Sequence, residues 1–117
     1  MKVHMQARPL TVSASPKGLS GRTLVPGDKS ISHRSLMLAS LAHGRTKVYG
    51  LLEGEDVLRT ADAMRALGAT ITRDGAVWTI DGRGVGELTE PADVLDMGNS
   101  GTAARLLSGI LSSHRMN

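Results

Sequence analysis

Several residue types are missing or scarce in this sequence, and their absence narrows the chemistry that it can perform. The 117 residues include no cysteine, which excludes disulfides, thiolate nucleophiles and cysteine-ligated zinc and leaves the redox compartment open. With no phenylalanine, one tryptophan and one tyrosine, a core has to be built mainly from aliphatic residues and methionine. No apolar run approaches the roughly 18 residues of a membrane span. The first ten residues also lack the features of a secretory signal, so we expect a cytoplasmic protein without a membrane partner.

The charges are nearly balanced and evenly spread. There are 14 lysines and arginines and 11 aspartates and glutamates, which gives a formal net charge of +3. The basic residues form no block and are not interleaved with aromatics, so a nucleic-acid partner is not expected. The hydrophobic fraction of 40% is typical of globular proteins. The length suits one domain or part of a larger one.

The apolar periodicity predicts alternating strands and helices after a lead-in of 25 residues. Within the lead-in, a short strand is predicted at 10–14. The first helix is capped by Ser30 or Ser32 and ends near His43, with Gly44 as its left-handed stop; a strand at 46–51 and a second helix from Glu55 to a stop at Gly68 follow it. The remaining predicted elements are a hairpin of 69–73 and 76–80 around Asp74-Gly75, a loop at 81–86, a strand at 93–97 and a helix at 102–112. This order predicts an α/β (α+β) fold with one βαβαββ unit and the opening of a second. Because the chain stops one helix into that repeat, we expect it to be part of a longer protein.

Two segments join a glycine-containing turn to the start of a predicted helix. They are Pro-Gly-Asp-Lys-Ser-Ile-Ser-His-Arg at 26–34, the first motif, and Gly-Asn-Ser-Gly-Thr-Ala-Ala-Arg at 98–105, the second motif. Free N–H groups at a helix start attract anions, and glycine lets a ligand approach the backbone. Lys29 adds a mobile point charge, and Arg34 adds a planar fork for phosphate or carboxylate oxygens. Ordinary helix capping explains either motif taken alone, but two in one chain favour anion sites.

Other patterns are explained without a special function. The first motif lacks the glycine spacing of a Walker A loop, and residues 82–86 follow a hairpin instead of opening a helix, which favours a flexible loop over a dinucleotide fingerprint. The acidic residues at 53–56 complement the positive start of a helix, although acid/base chemistry stays open. The histidines share no metal-ligand spacing and are interpreted as surface or capping residues: His4, His33, His43 and His114. We therefore predict no metal site.

The two motifs, in this order and separation, resemble the N-terminal signatures of the 5-enolpyruvylshikimate-3-phosphate synthase family, the 3-phosphoshikimate 1-carboxyvinyltransferases. Gly-Leu-Leu-Glu-Gly-Glu-Asp at 50–56 is similar to the version found in its glyphosate-tolerant bacterial members. The resemblance runs from about Thr11 to Ser112. The related UDP-N-acetylglucosamine enolpyruvyl transferases lack the Asp-Lys-Ser-Ile-Ser-His-Arg sequence and commonly use a cysteine that is absent here.

The resemblance implies a two-lobed protein with an inverse α/β-barrel fold, in which each lobe contains three βαβαββ units. Residues 26–117 would then form part of an incomplete N-terminal lobe, and residues 1–25 would belong spatially to the C-terminal lobe. The implied activity is a transferase reaction of the shikimate pathway, in aromatic amino acid biosynthesis. It moves the enolpyruvyl group of phosphoenolpyruvate to the 5-hydroxyl of shikimate 3-phosphate through a tetrahedral adduct, releases phosphate, and needs no metal or cofactor.

The family pattern also implies a role for particular residues. Lys29 would contact both substrates and take part in catalysis. Ser30 and Arg34 would hold shikimate 3-phosphate, and the pocket for phosphoenolpyruvate would be formed by the second motif. The implied substrate-binding residues are Lys29, Ser30, Arg34, Asn99, Gly101, Thr102 and Arg105.

Three positions depart from the family pattern. His33 stands where many members have asparagine, which is tolerable if the side chain lies beside the phosphate contacts. Gly101 stands where tolerant enzymes tend to have alanine, so we expect sensitivity to glyphosate. Leu106 replaces a proline that often follows Arg105, which leaves the shape of the pocket open.

The resemblance places the acid/base carboxylate, a second lysine and most phosphoenolpyruvate-binding arginines beyond position 117. We therefore expect a split enzyme, in which this chain is inactive alone and active with a complementary C-terminal fragment. Two alternatives are a module that binds shikimate 3-phosphate or another anion without chemistry, and a structural fragment that pairs with itself through open sheet edges.

Overall fold

The structure is a computed structural model that describes residues 8–116. Its elements, in chain order, are α1 (Lys29–Leu41), β1 (His43–Tyr49), α2 (Glu55–Ala66), β2 (Thr70–Asp74), β3 (Val77–Arg83) and α3 (Gly101–Leu111). The strands form one sheet in the order β1-β3-β2, and β3 is antiparallel to both neighbours. Strands β1 and β2 are therefore parallel to each other, joined by α2 and separated by β3. This arrangement confirms the predicted α/β class.

The core lies between the sheet and helices α1 and α2. Trp78 and Ile80 alternate along β3 and are both buried, so they share the face that the helices cover. Val57 and Met64 of α2 and Leu36 of α1 are fully buried against them. The indole Nε1 of Trp78 donates to Glu53 Oε1 at 2.9 Å, which satisfies its one polar group. Within residues 8–116, no helix is both long and apolar enough to cross a bilayer.

The second helix and the hairpin form close to where the sequence predicts them. Helix α2 begins at Glu55, and the chain leaves it at Gly68, whose φ of +104° suits glycine. The hairpin pairs Asp74 with Val77, so its central residues are Gly75 and Ala76, one position later than predicted. Only Gly75 has a positive φ, at +58°. The turn therefore follows the type II′ pattern, not the predicted type I′.

The strands predicted at 10–14 and 93–97 do not form, and both predictions are wrong. Leu10 and Val12 are 86% and 80% exposed, and no neighbouring strand pairs with them in the described residues. Alternation alone cannot hold a strand whose backbone groups lack partners. In the second segment, Asp96 turns its carboxylate to the Gly98 N–H instead. The assignment of residues 1–25 to another lobe stays a prediction, and residues 1–7 lie outside the described part of the chain.

Two boundaries around the sheet differ from the prediction. Helix α1 ends at Leu41, so Gly44, with φ of +89°, lies inside β1 and does not stop the helix. Strand β3 continues to Arg83, into the segment predicted as a loop. Gly82 allows this because a Cβ there would lie 2.1 Å from the Ala42 carbonyl oxygen. The end of β3 therefore packs directly against the end of α1.

Candidate anion-binding site

The first motif forms the start of α1, but its cap is Asp28. The Asp28 Oδ1 accepts a hydrogen bond from the Ile31 N–H at 2.8 Å, so the prediction of Ser30 or Ser32 as the cap is wrong. Ser32 is buried instead. Its hydroxyl donates to the Asp28 carbonyl at 2.7 Å and accepts from the Leu52 N–H at 3.0 Å. Aspartate is as good a cap as serine, so the Pro-Gly-Asp sequence held this signal.

Gly27 makes a close backbone contact, and the predicted approach of a ligand to it stays a prediction. A Cβ at this position would lie 2.1 Å from the Gly50 carbonyl oxygen and 3.0 Å from the Leu52 nitrogen. Both neighbours are backbone atoms, which cannot swing aside. Together with the Ser32 bond to Leu52, this contact fixes the start of α1 next to the segment that leads into α2.

Lys29, the first residue of α1, reaches across to α2. Its ammonium donates to the Asp56 carboxylate, and this hydrogen bond holds the pKa of Asp56 below its usual range. The same lysine lines a cavity of about 210 Å³ with Leu52, Gly54 and Val57. The sequence analysis favoured the helix dipole for Asp56, left acid/base chemistry open, and missed the contact with Lys29. The sequence shows that a carboxylate lies in the first turn of α2, but which cation it binds depends on how α1 packs against α2.

Ser30 and Arg34 lie exposed on the first turns of α1. The Arg34 Nη1 donates to the Ser30 carbonyl at 3.1 Å, so the guanidinium folds back toward the start of its helix. The cations of Lys29 and Arg34 and the positive helix end thus share one exposed surface. This surface can bind an anion that carries several oxygens.

His33 is not a surface residue, so its interpretation as a surface or capping histidine is wrong. The ring is fully buried, and its Nδ1 lies 2.7 Å from the Thr60 hydroxyl of α2. The Thr60 hydroxyl also lies 3.3 Å from the Asp56 carbonyl oxygen, and within residues 8–116 the His33 Nε2 has no hydrogen-bond partner. Burial, and next the charge of Lys29, lower the pKa of His33. The side chain therefore holds α1 to α2, and its place beside the phosphate contacts stays a prediction.

The other described histidines agree with the sequence-based interpretation. His43 is exposed at the start of β1. His114 follows α3, and its Nδ1 lies 3.0 Å from the Ile110 carbonyl oxygen, as in a helix cap. His4 lies outside the described residues.

The second motif forms the start of α3. Ser100 is buried and caps the helix by accepting a hydrogen bond from the Ala103 N–H at 3.1 Å. Asn99 is exposed just before it, Gly101 is the first residue of the helix, and Thr102 is half-buried. The Arg105 guanidinium lies over Gly101, because a Cβ on Gly101 would be 2.6 Å from Nη1 of Arg105. The Arg105 side chain thus reaches back one helical turn and covers the start of α3 with its positive charge.

Both motifs contact the same part of α2. Asp56 binds Lys29 of the first motif, and Arg59 lies against Gly98 of the second. Residues three apart on a helix are neighbours on its surface, so the two motifs approach one side of α2. The structure therefore places both helix starts against the first turns of α2. Of the two α2 residues that make these contacts, the sequence analysis named Asp56 as part of an acidic cluster and did not identify Arg59.

Comparison with known proteins gives consistent matches. A model of the family described as EPSP synthase (3-phosphoshikimate 1-carboxyvinyltransferase) matches residues 13–117. The chain is 87% identical over 111 residues to the 3-phosphoshikimate 1-carboxyvinyltransferase of Gluconobacter oxydans, covering 95% of this chain and 25% of that protein. It is 66% identical over 112 residues to the one of Rhodospirillum rubrum, covering 92% of this chain and 25% of that protein.

A solved structure is similar as well. The EPSP synthase from Acinetobacter baumannii superposes with a TM-score of 0.76 at 50% sequence identity, covering 82% of this chain and 22% of that chain. The partial inverse α/β-barrel fold thus agrees with a structural relative. The chain spans about a quarter of the length of the curated relatives that it matches.

Proposed function

The chain belongs to the EPSP synthase family, and we propose that it supplies a substrate half-site for enolpyruvyl transfer in the shikimate pathway. In this reaction the 5-hydroxyl oxygen of shikimate 3-phosphate bonds to the enolpyruvyl carbon of phosphoenolpyruvate. The hydroxyl loses its proton and the methylene carbon of phosphoenolpyruvate gains one, which gives a tetrahedral adduct. Phosphate then leaves as its carbon–oxygen bond breaks, and the methyl carbon loses a proton to restore the double bond. The observation that carries the proposal is the contact of both motifs with one side of α2, through Asp56 and Arg59.

The physical demand of this reaction fits such a surface. Both substrates carry several negative charges, and they must be held side by side and partly stripped of water before they react. Fixed cations and helix N-termini lower the energy of that arrangement because they need no reorganisation during the reaction. Lys29, which lies at the α1–α2 junction, is the residue proposed to contact both substrates.

The remaining assignments divide the site between the motifs. Ser30 and Arg34 are proposed to hold the phosphate and carboxylate of shikimate 3-phosphate. Thr102 is proposed to lie near these shikimate 3-phosphate contacts. The phosphoenolpyruvate pocket is assigned to Asn99, Gly101 and the start of α3, with Arg105 behind it. In the structure, the Asp56 carboxylate forms an ion pair with the Lys29 ammonium, so an anionic substrate would compete with this carboxylate for Lys29.

We propose that the acid/base carboxylate and the remaining cations come from a complementary C-terminal fragment of the same enzyme. The chain spans a quarter of its relatives, and the resemblance places those groups in the remainder. Chemistry then requires both pieces, whereas binding of shikimate 3-phosphate by residues of α1 does not.

The test mixes this chain with a polypeptide that covers the remaining part of the Gluconobacter oxydans relative and measures phosphate release. We expect turnover that saturates near equal amounts of the two pieces, and none from either alone. The chain with Lys29→Met is the matched control and should give no turnover while still associating. Absence of turnover at every ratio, with both pieces folded, would contradict the complementation.

A second candidate, self-association, is favoured by one surface. Ile31 and Leu38 of α1 are 66% and 65% exposed. An open groove of about 560 Å³ runs between α1 and the edge strand β1, lined by Leu38, Ala42, Val48 and Tyr49. Sedimentation of the chain alone distinguishes the two candidates. A mass that doubles with concentration supports self-pairing, and a constant monomer mass contradicts it.

A further inference from the structure

Arg59, which is not among the assigned substrate residues, lies where α2 meets the second motif. Its Nη1 donates to Asp96 Oδ2 at 2.8 Å, and its Nη2 donates to Glu55 Oε1 at 3.2 Å. The other oxygen of Asp96, Oδ1, accepts a hydrogen bond from the Gly98 N–H at 2.8 Å. One guanidinium and one carboxylate therefore connect α2 to the turn that opens α3.

This turn has little room to shift. The Ser100 N–H donates to the Met97 carbonyl at 3.1 Å, which closes a four-residue turn over Gly98 and Asn99. Gly98 has a φ of +56°, and a Cβ there would lie 2.5 Å from Arg59 Nε. The Arg59 side chain thus fills the space that a side chain at position 98 would need, which is possible because this residue is glycine. Because Ser100 caps α3, the place of this turn sets the place of the helix start.

We propose that Arg59 and Asp96 are positioning residues for the second motif. They orient Asn99 and the first N–H groups of α3 toward phosphoenolpyruvate, and this inference rests on the proposed function for the identity of that ligand. Arg59 acts through Asp96 and Gly98 and does not itself bind the ligand. The Lys29 side of the site is held by a separate contact, to Asp56. Loss of the Arg59 contact should therefore change binding at the second motif alone.

The test measures the affinity of the chain for phosphoenolpyruvate and for shikimate 3-phosphate by calorimetry, in Arg59→Lys and Asp96→Ala variants. Lysine keeps the charge but cannot bridge Glu55 and Asp96 with a planar fork. We expect the affinity for phosphoenolpyruvate to fall about tenfold, as for one lost hydrogen bond to a charged group. The affinity for shikimate 3-phosphate should stay within about twofold, because the residues proposed to hold it directly, Ser30 and Arg34, lie on α1.

The matched control is Asp62→Asn. Asp62 pairs with Arg65 at 2.7 Å on the same helix and makes no hydrogen bond to residues 97–100 in the described part of the chain, so its loss should change neither affinity. Arg59→Lys with the wild-type affinity for phosphoenolpyruvate would overturn the positioning role while leaving the half-site intact. Equal losses for both ligands, with a lower melting temperature, would also overturn it, because they indicate only a general loss of stability.

A wild-type chain that binds neither ligand would count against the half-site in the isolated chain, and amide hydrogen exchange would then decide the positioning role. Faster exchange of the Gly98 and Ser100 amides in Arg59→Lys than in Asp62→Asn supports the role. Equal exchange rates in the two variants overturn it.

Discussion

The His33 ring on α1 and the Thr60 hydroxyl on α2 form a buried hydrogen bond of 2.7 Å between the two helices that carry Lys29 and Asp56. A neutral imidazole is needed there, because burial and the nearby Lys29 charge disfavour the protonated ring. This buried bond fixes the position of the start of α1 relative to the start of α2.

The pH dependence of stability should report this histidine. Its pKa in the folded chain lies below the ordinary value of 6.5, so the unfolded chain binds a proton first as the pH falls. The stability from the neutral ring is fully present above about pH 6.5 and decreases as the pH falls from there toward the folded pKa. Melting temperatures recorded from about pH 7 to about pH 5 should fall for the wild type and change less for His33→Asn.

A Thr60→Ser variant keeps the hydroxyl and should retain the wild-type pH dependence. The carboxylates with a lowered pKa, such as Asp56 and Asp96, lose their contribution to folding stability only below about pH 3.8. They therefore do not obscure the change expected between about pH 7 and about pH 5. An identical slope in the wild type and in His33→Asn would contradict this account of the buried ring.

Gly27→Ala should destabilise the fold and displace the start of α1. The new methyl group would overlap the Gly50 carbonyl oxygen, and relief requires a backbone shift that costs about 1–3 kcal/mol. Chemical denaturation measures this loss. Gly109→Ala is the control, since nothing lies within 4 Å of a Cβ at that position in α3, and it should raise the unfolding free energy by up to about 1 kcal/mol. A Gly27→Ala chain as stable as the wild type would refute the close contact.

Asp56→Asn should strengthen the binding of inorganic phosphate to the chain. The change removes the negative charge that pairs with Lys29 and would repel an arriving anion. We therefore expect a several-fold gain in the affinity for phosphate at low salt. Lys29→Met should abolish the gain when combined with Asp56→Asn. Phosphate titrations followed by calorimetry test both. A lower affinity in Asp56→Asn would indicate that the carboxylate orients the lysine instead of competing for it.

Gly101→Ala should weaken glyphosate far more than phosphoenolpyruvate in the reconstituted enzyme. The methyl group would meet the flexible end of Arg105, which can move, so folding should be little affected. The space above the helix start would nevertheless shrink, which affects the larger phosphonate most. Inhibition constants for glyphosate and KM for phosphoenolpyruvate check this, and equal losses for both ligands would contradict the crowding argument.

The sequence predicts best where several local signals coincide. Helix α2 combines acidic residues in its first turn, apolar residues at helical spacing and a stop at Gly68. The hairpin combines two β-branched runs with a glycine turn, and the structure differs from the prediction only in the position of the turn, by one residue, and in its type. The strand predicted at 10–14 had only two local signals, alternation and β-branched content. It failed because a strand also needs a partner, which local sequence does not reveal.

By itself, the sequence determined the fold class, the family and the two helix starts, since capping, periodicity and motif spacing act between residues close together in the chain. Only the tertiary structure decided how these parts meet. The contacts of Lys29 with Asp56, His33 with Thr60 and Arg59 with Asp96 join residues 27, 27 and 37 positions apart. Such pairs form because helices pack and exclude water, and no local rule of the chain specifies which side chains then face each other.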